Sequence, residues 1–342
     1  MTGQVIRKEA QTASATRPRI GFLGVGWIGR HRMKAILDTG AADVAAIADP
    51  SAEMVAEARM LAPEAERAGT IEDLLGMDLD GIVIATPSAM HAEQSIRALE
   101  KGVAVFCQKP LGRNEAEVRS VVEAARAADR LLGVDLSYRF TDAMRRIREV
   151  VGSCELGRIY AADLVFHNAY GPDKAWFYDP ALAGGGCVMD LGVHLVDLAL
   201  WTLGFPQVTG VTSRLFAGGE PLRDASAQVE DYAIATIGLE GGAVLQLACS
   251  WKLQAGCDAM ISAAFYGTQG GVAMRNVNGS FYDFTAERYR GTAREVLATP
   301  PDAWGGRAAA DWALRLASGE RFDPEAERFL DVARVLDRIY GR

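Results

Sequence analysis

Gly184-Gly185-Gly186 runs directly into Cys187-Val188-Met189-Asp190-Leu191-Gly192-Val193-His194-Leu195-Val196-Asp197, an apolar stretch that carries three titratable side chains. Side chains four apart on an α-helix are neighbours, so Asp190 and His194 are expected to touch, with Asp197 one turn on. An imidazole polarised by a carboxylate is a usable general base near neutral pH. The same spacing also fits a histidine hydrogen-bonded inside an apolar core helix, and the segment alone does not choose. Asp197 reads as a helix-face or hydrogen-bonding residue. Lys109 is a second candidate, at the end of the apolar run Val103 to Cys107 and fixed by Pro110. An ammonium at the carboxyl end of a strand can hold a substrate hydroxyl or stabilise a developing alkoxide; the alternative is a surface lysine in a loop.

These side chains need a cofactor to work against, and the first half of the chain supplies the pattern for one. The strand-like run Arg19 to Leu23 enters Gly24-Val25-Gly26-Trp27-Ile28-Gly29 and then a helical pattern through Leu37. This is the G-x-G-x-x-G fingerprint in its strand-turn-helix setting, with Gly24 for the tight turn, Gly26 for approach of a pyrophosphate and Gly29 for helix–strand packing. Amides at the helix N-terminus then face the phosphates. A second strand, Val44 to Ala48, ends in Asp49, where a carboxylate accepts from ribose hydroxyls and repels a 2′-phosphate. Pro50-Ser51 brings no arginine beside it, so NAD is favoured over NADP. The alternation continues with helix 51–61, strand 81–85 ending at Thr86-Pro87, strand 103–107, helix 114–128 and strand 131–136. Thr86 and Pro87 fall at the carboxyl end of the sheet, where ligands bind. His91 opens the next helix and either lines the cleft or caps and packs.

After Tyr138 the rhythm changes to a helix over 140–152 followed mainly by strands, at 158–168, 207–216, 228–239, 243–252, 257–266, 272–275 and 280–284. Gly241-Gly242 signals a hairpin, and helices close the chain over 303–318 and 324–340. The fold expected is an α/β Rossmann domain with a doubly wound parallel sheet over 19–138, then an α+β domain over 139–342 with an open, mostly antiparallel sheet. Residues 1–18 read as a disordered leader. With its helices on one face, the second sheet is expected to leave its other face open. The loop from Asn168 to Pro180 is aromatic and charged, and Trp176 is its leading candidate for contact with a polyol.

Bulk properties narrow the function. With 342 residues, 49% hydrophobic and 23% charged, the chain is an ordered globular protein of two-domain size. A net charge of -8 with a pI near 5.2 opposes nucleic-acid binding, the arginines from Arg145 to Arg148 reading as a solvated helix face. No apolar run approaching ~20 residues is apparent, which argues against a membrane protein. Five scattered cysteines suit a reducing cytoplasm and form neither a disulfide framework nor a metal site.

The chain resembles the glucose-fructose oxidoreductase, inositol dehydrogenase and rhizopine-catabolism (Gfo/Idh/MocA) family of NAD(P)-dependent sugar and polyol dehydrogenases. The likeness is carried by Gly24 to Gly29, Ala85-Thr86-Pro87 with His91, Cys107-Gln108-Lys109-Pro110, and Gly184-Gly185-Gly186 through Asp190, Gly192 and His194. The resemblance implies that Lys109 is the catalytic-site lysine, His194 the general acid/base, and Asp190 the carboxylate that orients it and binds substrate. Cofactor contacts are expected from Gly24, Gly26, Trp27, Ile28, Gly29, Asp49, Thr86, Pro87, His91, Gln108 and Lys109. Substrate contacts are expected from Lys109, Tyr138, Trp176, Asp190 and His194, and the resemblance implies that the open face of the second sheet pairs subunits into a homodimer or homotetramer. The family's usual Glu-Lys-Pro is Gln108-Lys109-Pro110 here, which alters the field around the lysine and leaves the lysine in place. The reaction expected is hydride transfer between a secondary alcohol of a sugar or cyclic polyol and NAD, with no metal. An NAD-dependent glycosidase or lyase using transient oxidation, and a non-catalytic sugar or nucleotide sensor, are the alternatives.

Overall fold

A computed structural model describes residues 17–342. The expected leader lies outside the described residues except for Arg17 and Pro18, where the Pro18 carbonyl accepts from the Asp43 amide at the start of the second strand.

Short apolar runs bounded by turns become the six strands of a parallel sheet: β1 (Arg19–Leu23), β2 (Asp43–Ala48), β3 (Glu66–Ala68), β4 (Gly81–Ile84), β5 (Ala104–Cys107) and β6 (Leu132–Val134). Their order is β3-β2-β1-β4-β5-β6, which places the switch point between β1 and β4. The crossover helices are α1 (Trp27–Thr39), α2 (Ala52–Leu61), the short α3 (Ile71–Leu75), α4 (Ser88–Glu100) and α5 (Glu115–Ala128). Local chemistry sets three of their starts: Ser51 accepts from the Met54 amide, Thr70 from the Asp73 amide and Asn114 from the Glu117 amide. Between β1 and α1, Gly24 has φ +85°, and a Cβ there would lie 2.6 Å from the Ala85 carbonyl oxygen. The turn therefore requires glycine on both counts.

Helix α6 (Asp142–Gly152) leads into a nine-stranded sheet built from β7 (Ile159–Asn168), β8 (Val208–Ala217), β9 (Glu220–Pro221), β10 (Tyr232–Leu239), β11 (Val244–Ser250), β12 (Ala259–Gly267), β13 (Gly271–Asn276), β14 (Phe284–Arg290) and β15 (Ala293–Ala298). Its order is β15-β14-β13-β12-β7-β11-β10-β8-β9, antiparallel except where β7 lies parallel to β11. The β10–β11 hairpin turns through Gly241 and Gly242, both at positive φ, as the glycine pair predicts. Strand 280–284 does not form. Residues 277–283 are a loop, and the strand begins at Phe284. Strands β3 and β15 escape sequence reading because they are short or charged and lie at sheet edges, with no buried alternation to report them.

One face of the second sheet is covered by α6, by α8 (Val193–Thr202), which follows the short α7 (Pro180–Ala183), and by α10 (Arg328–Tyr340). Between them α9 (Arg307–Ala317) returns to the parallel sheet, where Trp312 packs on Phe106 and fills the space beside Gly81 and Gly133. The expectation of no membrane-length apolar run needs correction. The helical stretch Pro180–Thr202 is long and apolar enough to cross a membrane by length and composition. Most of it is buried in the protein, which is why it is so apolar.

Candidate active site

The segment carrying Asp190 and His194 is not one regular α-helix. Residues Val188–Gly192 form a wider π-helical turn before α8 begins. The extra residue in that turn shifts the side-chain spacing, a device frequent at functional sites. Asp190 and His194 consequently do not pair. The Asp190 carboxylate accepts from Lys109 Nζ at 2.7 Å and from Trp251 Nε1 at 3.0 Å, and Lys109 also donates to the Asp190 carbonyl oxygen at 2.8 Å. The expected carboxylate–histidine pair is replaced by a carboxylate–lysine pair, and Trp251 at the end of β11 was not foreseen.

His194 is buried against Tyr138, ring centroids 4.8 Å apart in an edge contact. Its Nδ1 is enclosed without a hydrogen-bond partner, which leaves Nε2 as the atom available to a ligand. Burial holds its pKa well below the usual histidine value, and the positive charges of Lys109 and Arg32 push the same way. The imidazole is neutral at pH 7. Asp197, one turn on, is buried in an ion pair with Arg139, the hydrogen-bonding role expected of it.

The three glycines bring the π-turn into close contact with its supports. A Cβ on Gly186 would sit 1.9 Å from the Glu230 carbonyl oxygen, and one on Gly185 2.0 Å from the Tyr340 hydroxyl. Glu230, fully buried, accepts from the amides of Gly186 and Val188 and from the Tyr340 hydroxyl. It satisfies the free amides that open the turn, a role for which the sequence gives no signal.

Gln108 donates to the buried Asp135 carboxylate at 2.5 Å, and Arg32 Nε donates to the same oxygen at 2.6 Å. A negative charge is therefore present beside Gln108, at the carboxyl end of β6, although residue 108 itself is neutral. Position at a strand's carboxyl end could have flagged Asp135.

Two cavities meet at Trp27, Ile28, Gln108 and Lys109. The larger, 830 Å³, runs along the glycine turn and past Thr86 and Pro87 to Asp190, with Trp176 and Phe177 on its far wall. The smaller, 640 Å³, contains His194 and Tyr138. A dinucleotide fits the larger one: a Cβ on Gly26 would meet nothing within 4 Å, so the turn has open space for a pyrophosphate in front of the α1 amides. Asp49 stands at the end of β2, its carboxylate accepting from the Val25 and Ser51 amides at 2.8 Å. An arginine does reach this corner, from α1 rather than from the residues after Asp49. Arg30 donates to the Val25 carbonyl oxygen and pairs with Glu57 at 2.6 Å. His91 borders the larger cavity but is buried, its ring nitrogens 2.7 Å from the carbonyl oxygens of Thr86 and Pro110. It ties the two loops together. Among the described residues no cluster of metal-ligating side chains occurs.

Residues 18–136 match the oxidoreductase family with an NAD-binding Rossmann fold, and residues 144–273 match the GFO/IDH/MocA C-terminal domain. The chain belongs to the Gfo/Idh/MocA family. It is an NAD(P)-dependent oxidoreductase. The D-glucoside 3-dehydrogenase of Escherichia coli K12 is 28% identical over 64% of this chain and 67% of its own length. The inositol 2-dehydrogenase of Acidiphilium cryptum is 32% identical over 66% and 64%. Among solved structures, a levoglucosan dehydrogenase in complex with NADH shares the fold, with a TM-score of 0.82 at 20% identity over 95% of this chain and 96% of that one.

Proposed function

We propose that this protein oxidises a secondary alcohol of a sugar or cyclic polyol at the junction of the two cavities, with NAD as cofactor. The observation that carries the reading is the position of Lys109, which borders both cavities between the Asp190 carboxylate and the cavity that holds His194. The relatives named above act on a glucoside and on inositol, which sets the substrate class.

His194 Nε2, neutral and without a protein partner, takes the hydroxyl proton. Lys109 has three N–H donors; two are engaged by Asp190, and the third is free to hold the substrate oxygen as negative charge develops. Asp190 acts on the lysine, fixing its direction, and Trp251 fixes Asp190. Bound NAD supplies the hydride acceptor, so the alcohol leaves as a ketone. Tyr138 and Trp176 wall the two cavities on either side of this centre and are assigned to substrate contact.

Asp49 disfavours a 2′-phosphate, and Arg30 is already neutralised by Glu57, so NAD is used in preference to NADP. A second copy of the chain covers the open face of the large sheet, where Ile234 and Met260 are exposed. The site of action is a reducing cytoplasm, where the facing thiols of Cys187 and Cys249, 3.8 Å apart, stay reduced.

The test is NADH formation across sugars, inositols and sugar acids, repeated with NADP. His194→Ala should abolish turnover with NAD affinity retained, and undiminished turnover would refute the assignment.

A further inference from the structure

The smaller cavity has a polar floor and an aromatic mouth. Its floor holds Lys109, Gln108, Asp135 and the almost fully buried His194, and Trp304 walls it. At its mouth stand two large aromatic side chains from opposite halves of the chain, Trp27 at 59% exposure and Tyr282 at 58%. Surface aromatics scattered singly need no explanation. Here two of them line one cavity that ends at the reaction centre.

Tyr282 is held in this position by its loop. Ser280 Oγ accepts from the amides of Tyr282 and Asp283, and the Trp304 indole donates to the Tyr282 carbonyl oxygen at 2.9 Å. The backbone is fixed while the ring is left in solvent. Trp27, in the first turn of α1, is steadied by His31, ring centroids 5.6 Å apart. A ligand that covered both rings would remove apolar surface from water without ordering a mobile segment.

The charges lining the cavity say what kind of ligand it takes. Every lysine and arginine along it is already paired: Arg32 with Asp135, Lys34 with Asp38, Lys109 with Asp190, and Arg307 with Asp142 and Asp302. The one N–H left over, on Lys109, is taken by the reacting hydroxyl, so nothing remains to balance a phosphate or carboxylate and the ligand is neutral. A volume of 640 Å³ lies well inside the span of about 300–1,000 Å³ taken by drug-sized ligands and exceeds what one sugar ring fills.

We infer that the substrate is a neutral two-ring glycoside, its reacting ring on the floor between Lys109 and His194 and its second ring against Trp27 and Tyr282. This rests on the dehydrogenase reading and narrows it. Charge-neutral walls with aromatic faces suit sugar rings, whose C–H faces stack while their hydroxyls hydrogen-bond.

The test compares phenyl glycosides and disaccharides with the matching methyl glycosides of glucose and galactose, in both anomeric forms. Binding to the NAD-loaded protein is followed by calorimetry and turnover by NADH formation. The two-ring ligands should be favoured by about tenfold, the scale of one aromatic contact. Tyr282→Ala should remove that preference and leave the methyl glycosides within about twofold of the wild type, a change too small for a lost contact. Equal affinity for one-ring and two-ring ligands, no binding by any two-ring ligand, or a Tyr282→Ala loss shared equally by both classes would overturn the inference. Turnover of free sugars in any of those cases leaves the dehydrogenase reading intact. Conversely, a Tyr282-dependent preference in binding with no NADH formed from any alcohol supports the subsite and refutes the dehydrogenase.

Discussion

At the scale of single residues, the site depends on which partner each charge finds. Asp190 is held by Lys109 and Trp251, so its effect on the chemistry passes through the lysine. Trp251→Phe removes one hydrogen bond to an ionised carboxylate, an interaction worth about 1.5–3 kcal/mol. We expect kcat/KM to fall by roughly tenfold or more, corresponding to that loss, with NAD affinity unchanged. An unaltered kcat/KM would show that Asp190 needs no second anchor. His194 is a base whose protonation is opposed by burial and by the charges of Lys109 and Arg32. Its lowered pKa means that kcat/KM for alcohol oxidation should hold its plateau as pH falls past the ordinary histidine value of about 6.5. An acid limb centred at or above that value would contradict a neutral, enclosed imidazole. The types of these residues and their motif were legible in the sequence, but their pairing was not. The i,i+4 rule assumes an α-helix, and Val188–Gly192 is a π-turn.

At the scale of elements, the turn that carries Asp190 is built on Glu230. The backbone of Glu230, its carbonyl oxygen foremost, fills the space where a side chain on residue 186 would go. Gly186→Ala forces a methyl against backbone, which cannot move aside as a flexible side chain would. Overpacking of this kind costs about 1–3 kcal/mol or more, and a lower unfolding midpoint in urea is the expected result. A variant as stable as the wild type would mean that the turn has slack. Turnover should fall further than stability explains, because the displaced turn carries the lysine's partner. The sequence shows three glycines before a helix, and a backbone bare enough to let that helix start close beneath the nicotinamide and substrate is one reason for them. The structure adds a different one, since Arg113, Tyr340 and Glu230 crowd Gly184, Gly185 and Gly186 respectively. Those three residues come from distant parts of the chain, and no local pattern announces them.

For the whole molecule, acid sensitivity follows from the histidines. Burial lowers the pKa of His91, His167 and His194, outweighing the hydrogen bonds to the Pro110 and Thr86 carbonyls at His91 and helped at His194 by the charges of Lys109 and Arg32. A histidine whose folded pKa is depressed binds fewer protons in the native state than in the unfolded chain. Stability from this source is complete above the unfolded value of about 6.5 and is lost as pH falls below it. Asp197 and Glu230, with pKa values raised by burial, act with the opposite sign at lower pH. The urea midpoint should therefore fall between pH 7.5 and 6, and a rise over that interval would contradict the buried-neutral assignment. For the open face of the large sheet, Ile234→Glu combined with Met260→Glu should shift sedimentation towards the monomer with the NAD site retained. Unchanged sedimentation of a dimer or larger assembly would place the interface elsewhere.

The linear sequence is enough to read the parallel sheet and its cofactor turn, because each depends on local chemistry. A strand, a G-x-G-x-x-G turn and a helix are contiguous, and Asp49 ends the next strand. It likewise marked Lys109, Asp190 and His194 as the residues able to handle a proton and an alkoxide. How those three are connected, that Asp135 places a buried charge beside Gln108, and that two cavities meet at the lysine follow from the packing of the folded chain. Each of these is a contact between residues from 27 to 103 positions apart, as with Gln108 and Asp135 or Arg32 and Asp135. Such contacts are made by the packing of elements whose sequences carry no record of one another. The α9 return shows the same thing at larger scale: an amphipathic helix announces that it needs a surface, and the fold alone determines that the surface is the parallel sheet of the other half.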